Sequence, residues 1–247
     1  MGMETVEYKR FKLTNNSKVR FKGMHLNTFS LRQGSPKNGG TCPGCTPGEE
    51  GCEDTCYDKK LRRIYKAYAS VEDYNTELLA GLSEDDIFAV IDNSVTFWRM
   101  TSNDEHLYFR LHTGGDFYSV DYAKAWRRVI EKHKSVNFWT YTRSLFAVPI
   151  LHKLKNLTLY LSCDPVNKDK VLKVYSQYSG TPNIALAWMG NTIPVDFPSD
   201  RKHLVCPEVT GKLANSKTQG ACSRCRACVD RPLRDGNIRH VQFPIHK

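Results

Sequence analysis

From His106 to Gly190 the sequence alternates between short apolar runs rich in aromatic and β-branched residues and longer stretches with helical periodicity. The runs are HLYFRLHTGGDF, VNFWTYTRS, LTLYLSC and NIALAWMG; between them stand SVDYAKAWRRVIEKH, LFAVPILHKL and NKDKVLKVYSQY. Strands separated by helical segments of this size indicate parallel pairing through right-handed crossovers. The expected class is α/β, and the small helices favour a partial (β/α) barrel. In such folds a ligand site gathers at the carboxyl ends of the strands. Here those ends read His112-Thr113-Gly114-Gly115-Asp116, Thr142-Arg143-Ser144, Ser162-Cys163-Asp164 and Trp188-Met189-Gly190-Asn191.

Upstream, residues 1–22 are polar and basic, and Val19, Phe21 and Met24 suit an initial strand or ribbon leading into FKGMHLNTFSL. Arg32 to Asp54 is rich in Gly, Pro, Ser and Cys and reads as a long loop, a kind that is usually functional. Two helices follow. CYDKKLRRIYKAYASVEDYNTELL repeats Leu61, Ile64, Tyr65 and Tyr68 at helical spacing, and SEDDIFAVIDNSVTFWRM opens on Ser83 as N-cap with acids in its first turn. The expected organisation is a basic segment 1–22, a barrel body 23–200 with its cysteine loop at 32–56, and a cysteine-bearing extension 201–247.

Nine cysteines would mean disulfides in a secreted chain and metal ligands in a reducing compartment. The N-terminal MGMETVEYKR has no apolar signal core, and no stretch approaches the ~20 apolar residues of a membrane span. The expectation is a cytosolic protein without membrane contact. Cys42, Cys45, Cys52 and Cys56 follow C-x2-C-x6-C-x3-C in the Gly/Pro loop, and Cys206, Cys222, Cys225 and Cys228 follow C-x15-C-x2-C-x2-C. Thiolates repel one another, so a loop that gathers several is stabilised by a soft metal or an iron-sulfur cube. The C-x2-C-x2-C run suits one loop wrapped around a [4Fe-4S] cluster. Tetrahedral zinc is the alternative metal, and disulfides or unrelated buried thiols are the remaining reading. Cys163 stands alone at a strand end, where a packed thiol is expected.

Taken together, TCPGCTPGEEGCEDTCYDK, LHTGGDFYS, FWTYTRS and the terminal CPE with its C-x2-C-x2-C resemble a family of bacteriophage proteins known as gene product 88. The similarity runs from about Ser30 to Asp230. Its most specific parts are Cys56-Tyr57, Gly115 to Phe117, Tyr141 to Ser144, and Cys206-Pro207-Glu208. A cysteine loop after the first strand, followed by a Gly-Gly-acidic turn in a partial (β/α) barrel, also resembles the radical S-adenosylmethionine superfamily. That resemblance implies Cys42, Cys52 and Cys56 as ligands of a [4Fe-4S] cluster with one open iron. Gly114, Gly115 and Asp116 would form the turn that meets S-adenosylmethionine, and the second cysteine group would hold an auxiliary cluster. The usual C-x3-C-x2-C is absent, and an aromatic follows Cys56 where one normally precedes the last cysteine. Cys45 decides whether an iron stays open.

At the strand ends, His112 is a candidate general base, Asp116 a ligand for an amino group, Ser144 part of the cofactor pocket, and Arg143 a bidentate partner for a carboxylate or phosphate. Packing and structural salt bridges are the plain alternatives for His112 and Arg143. Phe138, Trp139, Tyr141 and Trp126 could stack bases, but alternating aromatics in a strand are more simply core. Dinucleotide and phosphate-loop fingerprints and a G-x-S-x-G elbow are absent.

The net charge of +10 points to an anionic partner, whether nucleic acid, an anionic small molecule or an acidic protein. Lys9, Arg10, Lys12, Lys18, Arg20 and Lys22 near one end and Arg224, Arg226, Arg231, Arg234 and Arg239 near the other form either one binding face or solvated surface. The expected function is an iron-sulfur protein, with an electron donor if it is redox-active. The alternatives are a metal-stabilised module for nucleic acid or a host protein, and a non-radical iron-sulfur hydrolase or lyase.

Overall fold

A computed structural model describes residues 9–14, 17–19, 25–102, 106–216, 219–229, 236 and 238–245. Arg20, Phe21, Lys22, Met24, Arg231 and Arg234 lie outside the described residues. The chain is mixed α/β. Strands β1 (His25–Thr28), β2 (Leu107–Arg110), β3 (Val136–Thr142), β4 (Leu157–Cys163), β5 (Ile184–Met189), β6 (His203–Val205) and β7 (His240–Phe243) make one seven-stranded sheet. Its order is β1-β2-β3-β4-β5-β7-β6, and every neighbouring pair is parallel. The segment after residue 200 therefore supplies two strands of the sheet, with β7 placed between β5 and β6.

The helices are α1 (Tyr57–Ile64), α2 (Lys66–Leu79), α3 (Glu84–Met100), α4 (Val120–Lys132), α5 (Val148–Leu151), α6 (Lys168–Tyr178) and α7 (Ala221–Cys225). Ser83 caps α3 as expected: its hydroxyl accepts from the Asp86 amide at 3.2 Å, and Glu84, Asp85 and Asp86 fill the first turn. The helical stretch before it breaks in two at Tyr65, which takes an extended conformation. Ile64 and Tyr65 are then 55% and 58% exposed instead of extending one apolar stripe. No helix among the described residues is long and apolar enough to cross a membrane.

Side chains alternate across the sheet with period two, and the two faces are covered differently. Phe29, Leu107, Phe109, Leu111, Phe138, Leu159, Leu161, Ile184 and Leu186 meet Ile91, Val95 and Trp98 of α3, Trp126 and Val129 of α4, and Val171 and Tyr175 of α6. Strands β1 to β5 are neighbours in chain order, so right-handed crossovers put their helices on this one side. The other face carries Tyr108, Trp139, Tyr160, Ala185, Ala187 and Val241. Helices α3, α4 and α6 pack on the first face. The second face is covered by Val19, Val229, Ile238 and the thiol-bearing residues Cys206, Cys228 and Cys222, the last on α7 of the β6-to-β7 connection.

Candidate metal centres

The N-terminal cysteine loop lies across the carboxyl ends of β3, β4 and β5. Thr46 donates its hydroxyl to the Asp164 carboxylate at 2.7 Å, Arg143 donates to the same oxygen, and Thr55 reaches the Met189 sulfur at 3.4 Å. Gly44 sits so close to the Arg143 carbonyl that a Cβ there would lie 2.3 Å from the oxygen. Within the loop, the Cys45 amide donates to the Cys42 carbonyl at 3.1 Å, and the Cys45 and Cys52 sulfurs are 3.8 Å apart. The hydrogen bond from Cys45, aided by Arg143 and opposed by burial, brings the Cys52 thiol down to about 6. Burial and then the Asp116 carboxylate push Cys42 up, and the neighbouring Cys56 and Cys52 add to this. All four thiols thus occupy one neighbourhood.

The residues expected around it divide by role. Asp116 is buried and spends both oxygens on backbone and side chain: Oδ1 accepts from the Phe117 amide at 2.7 Å and Thr142 Oγ1 at 2.6 Å, while Oδ2 accepts from the amides of Arg143 at 2.7 Å and Ser144 at 3.2 Å. It ties the turn after β2 to the end of β3. Ser144 donates to the Phe117 carbonyl at 2.7 Å and reinforces the tie. Gly115, at φ +77°, passes so close to Thr41 that a Cβ would lie 2.5 Å from its hydroxyl oxygen, which seats the turn against the cysteine loop. His112 packs instead into the helix-side core among Phe29, Phe117 and Tyr122, with Nε2 2.8 Å from the Tyr122 hydroxyl. Burial, with help from Arg110, brings it down to about 3, so the ring is neutral.

The C-terminal group lies against the sheet's second face. Cys206 follows β6 and donates its amide to the Gln242 carbonyl of β7 at 2.9 Å. Cys222 and Cys225 are on α7, which ends on Arg226 at φ 59°, and Cys228 follows. Cys228 packs with the stacked rings of Tyr141 and Tyr160, whose centroids are 5.0 Å apart. Burial pushes its thiol up to about 12, with Cys222, Cys206 and Cys225 adding to the shift. These four thiols also share one neighbourhood. The buried Tyr160 hydroxyl lies against Cys228 and has no oxygen or nitrogen partner.

The sequence profile of the "Gene product 88" family matches residues 5–231. The chain belongs to the gene product 88 family. Two phage proteins printed as "Gene 88 protein" are among its relatives. That of Mycobacterium phage D29 is 33% identical over 214 residues, and that of Mycobacterium phage L5 is 32% identical over 212; each match covers 83% of both chains. No solved structure matches.

A tetrahedral ion with metal–sulfur bonds of about 2.3 Å sets its sulfurs about 3.8 Å apart. Cys45 and Cys52 meet that spacing, yet among the described residues no group of three His, Cys, Asp or Glu side chains is placed to hold one metal ion. A cubane spreads its ligands over four irons and demands less convergence. The donor sets, four soft thiols each, fit such a cluster, and the Tyr160 hydroxyl is a donor suited to an anionic centre at the C-terminal group. Cys163, buried at the end of β4, is pushed up to about 12 chiefly by burial and stays a packed thiol.

One cluster had no signal in the sequence pattern. Asp58 of α1 and Glu72 of α2 are buried side by side over Gly114, where a Cβ would lie 2.4 Å from Asp58 Oδ2 and 2.2 Å from Glu72 Oε1. Their other oxygens accept from Tyr68 at 2.6 Å and Arg62 at 2.8 Å, while these two have no other partner, as expected if they share a proton. Burial and then Asp58 push Glu72 from 4.5 up to about 9. The folded chain keeps a proton that the unfolded chain releases, so stability falls as pH rises through this window, by at most about 1.4 kcal/mol per pH unit. Glu72→Gln, which supplies a permanent N–H, should flatten that slope in urea melts between about pH 6 and 9. An unchanged slope would mean that the pair holds no shared proton.

The basic residues do not all gather. Lys18 pairs with Glu208 at 2.8 Å, and its carbonyl lies against Gly220, which brings it beside Arg224 and Arg226 of the α7 segment. Arg10 and Lys12 instead lie over the rings of Phe97 and Tyr74.

Proposed function

We propose that this gene product 88 protein is an iron-sulfur protein with a [4Fe-4S] cluster in each cysteine group, the N-terminal one lying over the strand ends where substrate binds. The reading is carried by one observation: both groups, spaced unlike one another in sequence, gather four soft thiols onto the same parallel sheet. The sequential strand order, with crossover helices on one face, also supports the finer resemblance to the partial (β/α) barrel of radical S-adenosylmethionine enzymes.

Cys42, Cys52 and Cys56 would hold the N-terminal cluster and Cys206, Cys222, Cys225 and Cys228 the other. When bound, the N-terminal cluster supplies one electron for reductive cleavage of S-adenosylmethionine, drawn from an external electron donor. Asp116 and Ser144 keep the Gly114-Gly115 turn docked on the cysteine loop, and Arg143, anchored by Asp164, presents positive charge beside Cys52. An anionic substrate would meet that charge. His112 has no part in this reading beyond packing. An open iron used as a Lewis acid in a hydrolase or lyase needs the same cluster with Cys45 unbound.

A second reading rests on the net charge of +10 and on Lys18 standing beside Arg224 and Arg226: metal, zinc included, only fastens the loops, and the basic surface holds nucleic acid or a host protein. Oxygen-free purification should give a brown protein with iron and sulfide for two clusters, and adding S-adenosylmethionine should change the spin-resonance spectrum of the reduced form. Cys45→Ser decides the ligand count. Retained iron and an unchanged spectrum leave an open iron, whereas loss of the N-terminal cluster makes Cys45 its fourth ligand and removes the radical reading. Colourless, zinc-loaded protein that shifts DNA or RNA in a salt-sensitive manner would favour the binding module.

A further inference from the structure

Arg110 closes β2 and, by the alternation of the strand, projects with Tyr108 onto the sheet's second face, away from the helices. There its guanidinium lies 5.3 Å from the Tyr141 ring centre, and Nη2 donates to the Tyr57 hydroxyl at 3.3 Å. Its Nε is buried without a hydrogen-bond partner, and among the described residues no carboxylate comes within ion-pair distance. A guanidinium cannot shed its proton to escape this position. A half-buried cation that has no counter-ion and keeps one donor buried and unpaired is costly enough that a fold holding it ordinarily supplies an anion.

Among the described residues, the groups that act most strongly on Arg110 and can carry negative charge include Tyr57, Tyr141, Tyr68, Cys222 and Asp58. The tyrosines remain neutral in such surroundings, and Asp58 is committed to Tyr68 and Glu72. Cys222 is the member of this set that metal binding converts into a lasting anion. The contrast with the other cysteine group is informative. Arg143 stands beside Cys52, but one nitrogen of its guanidinium already pairs with the Asp164 carboxylate. Arg110 has no such carboxylate.

We propose that Arg110 is the counter-charge of a thiolate-metal centre in the C-terminal cysteine group, holding that centre's reduced, more negative state accessible. The inference rests on the iron-sulfur reading of that group. Adding an electron raises the negative charge of the centre by one, and a fixed cation in a water-poor setting favours the product. The Tyr160 hydroxyl against Cys228 adds a donor to the same anion. Arg110 is thus a positioning and tuning residue and does not touch the reacting atoms.

The test is a redox titration of the full-length holoprotein, with the two clusters' signals assigned through Cys52→Ser and Cys225→Ser variants. Arg110→Gln should lower the reduced fraction of the C-terminal cluster at least tenfold at a fixed poise, about 59 mV for one electron. Arg110→Lys, which keeps the charge and loses the planar fork, should stay near the wild type. Should the glutamine variant not fold, Arg110→Met retains the bulk of the stem and takes its place. If the wild type carries no iron or sulfide at the C-terminal group, the reading of that group fails and the inference with it. If the clusters are present and both neutral variants titrate like the wild type, or the lysine variant shifts as far as they do, the group stays a cluster site and the counter-charge is overturned.

Discussion

Replacing Cys228 by serine is expected to remove the C-terminal centre and uncover the second face of the sheet together. Cys228 and Cys222 belong to the cover over Tyr108, Trp139, Tyr160, Ala185 and Ala187, while α3, α4 and α6 pack on the opposite face. Metal binding of this kind contributes folding free energy directly, on the order of 10 kcal/mol for a structural site, which is comparable with the whole stability of a domain. The variant should lose half of the bound metal, melt far below the wild type and bind a hydrophobic dye. Cys163→Ala is the control. That thiol is fully buried and stands on the helix side, so its loss should cost about 1 kcal/mol and leave the metal content unchanged. Equal melting and metal content in the two variants would remove the C-terminal group from the account.

Gly44→Ala should disturb the other centre alone. The added methyl group would meet the Arg143 carbonyl oxygen at 2.3 Å and its carbon at 2.7 Å, and backbone at a strand end cannot swing aside as a side chain does. The loop must lift, which pulls Thr46 from Asp164 and moves Cys42 and Cys45 relative to Cys52 and Cys56. The expected cost is about 1–3 kcal/mol, with loss of the N-terminal cluster and retention of the C-terminal one. Gly180→Ala, where an added Cβ meets nothing within 4 Å, should be silent in melting temperature and in iron content. Full occupancy of both centres in Gly44→Ala would show that the loop tolerates displacement and does not depend on its seat over the strand ends.

Much of the architecture was legible because the relevant signals are local. The runs around Phe109, Phe138, Leu159 and Leu186 are short, apolar and rich in aromatic and β-branched residues, the stretch from Val120 to Lys132 has helical period, and Ser83 is followed by three acids; each signal lies within a few residues. The ends of β2, β3 and β4 were likewise readable as the place where a loop would dock. Other assignments needed distant neighbours. His112 and Asp116 look alike in sequence, two polar residues around a glycine pair. One faces the helix-side core at φ 58°, and the other accepts three hydrogen bonds from the end of β3. Arg110 ends a strand like any surface arginine, and only the alternation of β2 within the sheet turns it onto the second face. Asp58 and Glu72 are fourteen positions apart, and the break at Tyr65 folds their helices so that both carboxyls arrive over Gly114.

The amino-acid order alone determined the α/β class, the parallel pairing and the grouping of the cysteines, since each depends on periodicity or spacing along the backbone. Which face the second cysteine group covers, and which charges stand without partners beside it, was decided only when β6 and β7 joined the sheet. Burial and electrostatic pairing are properties of segments brought together from far along the chain, and no window of sequence contains them.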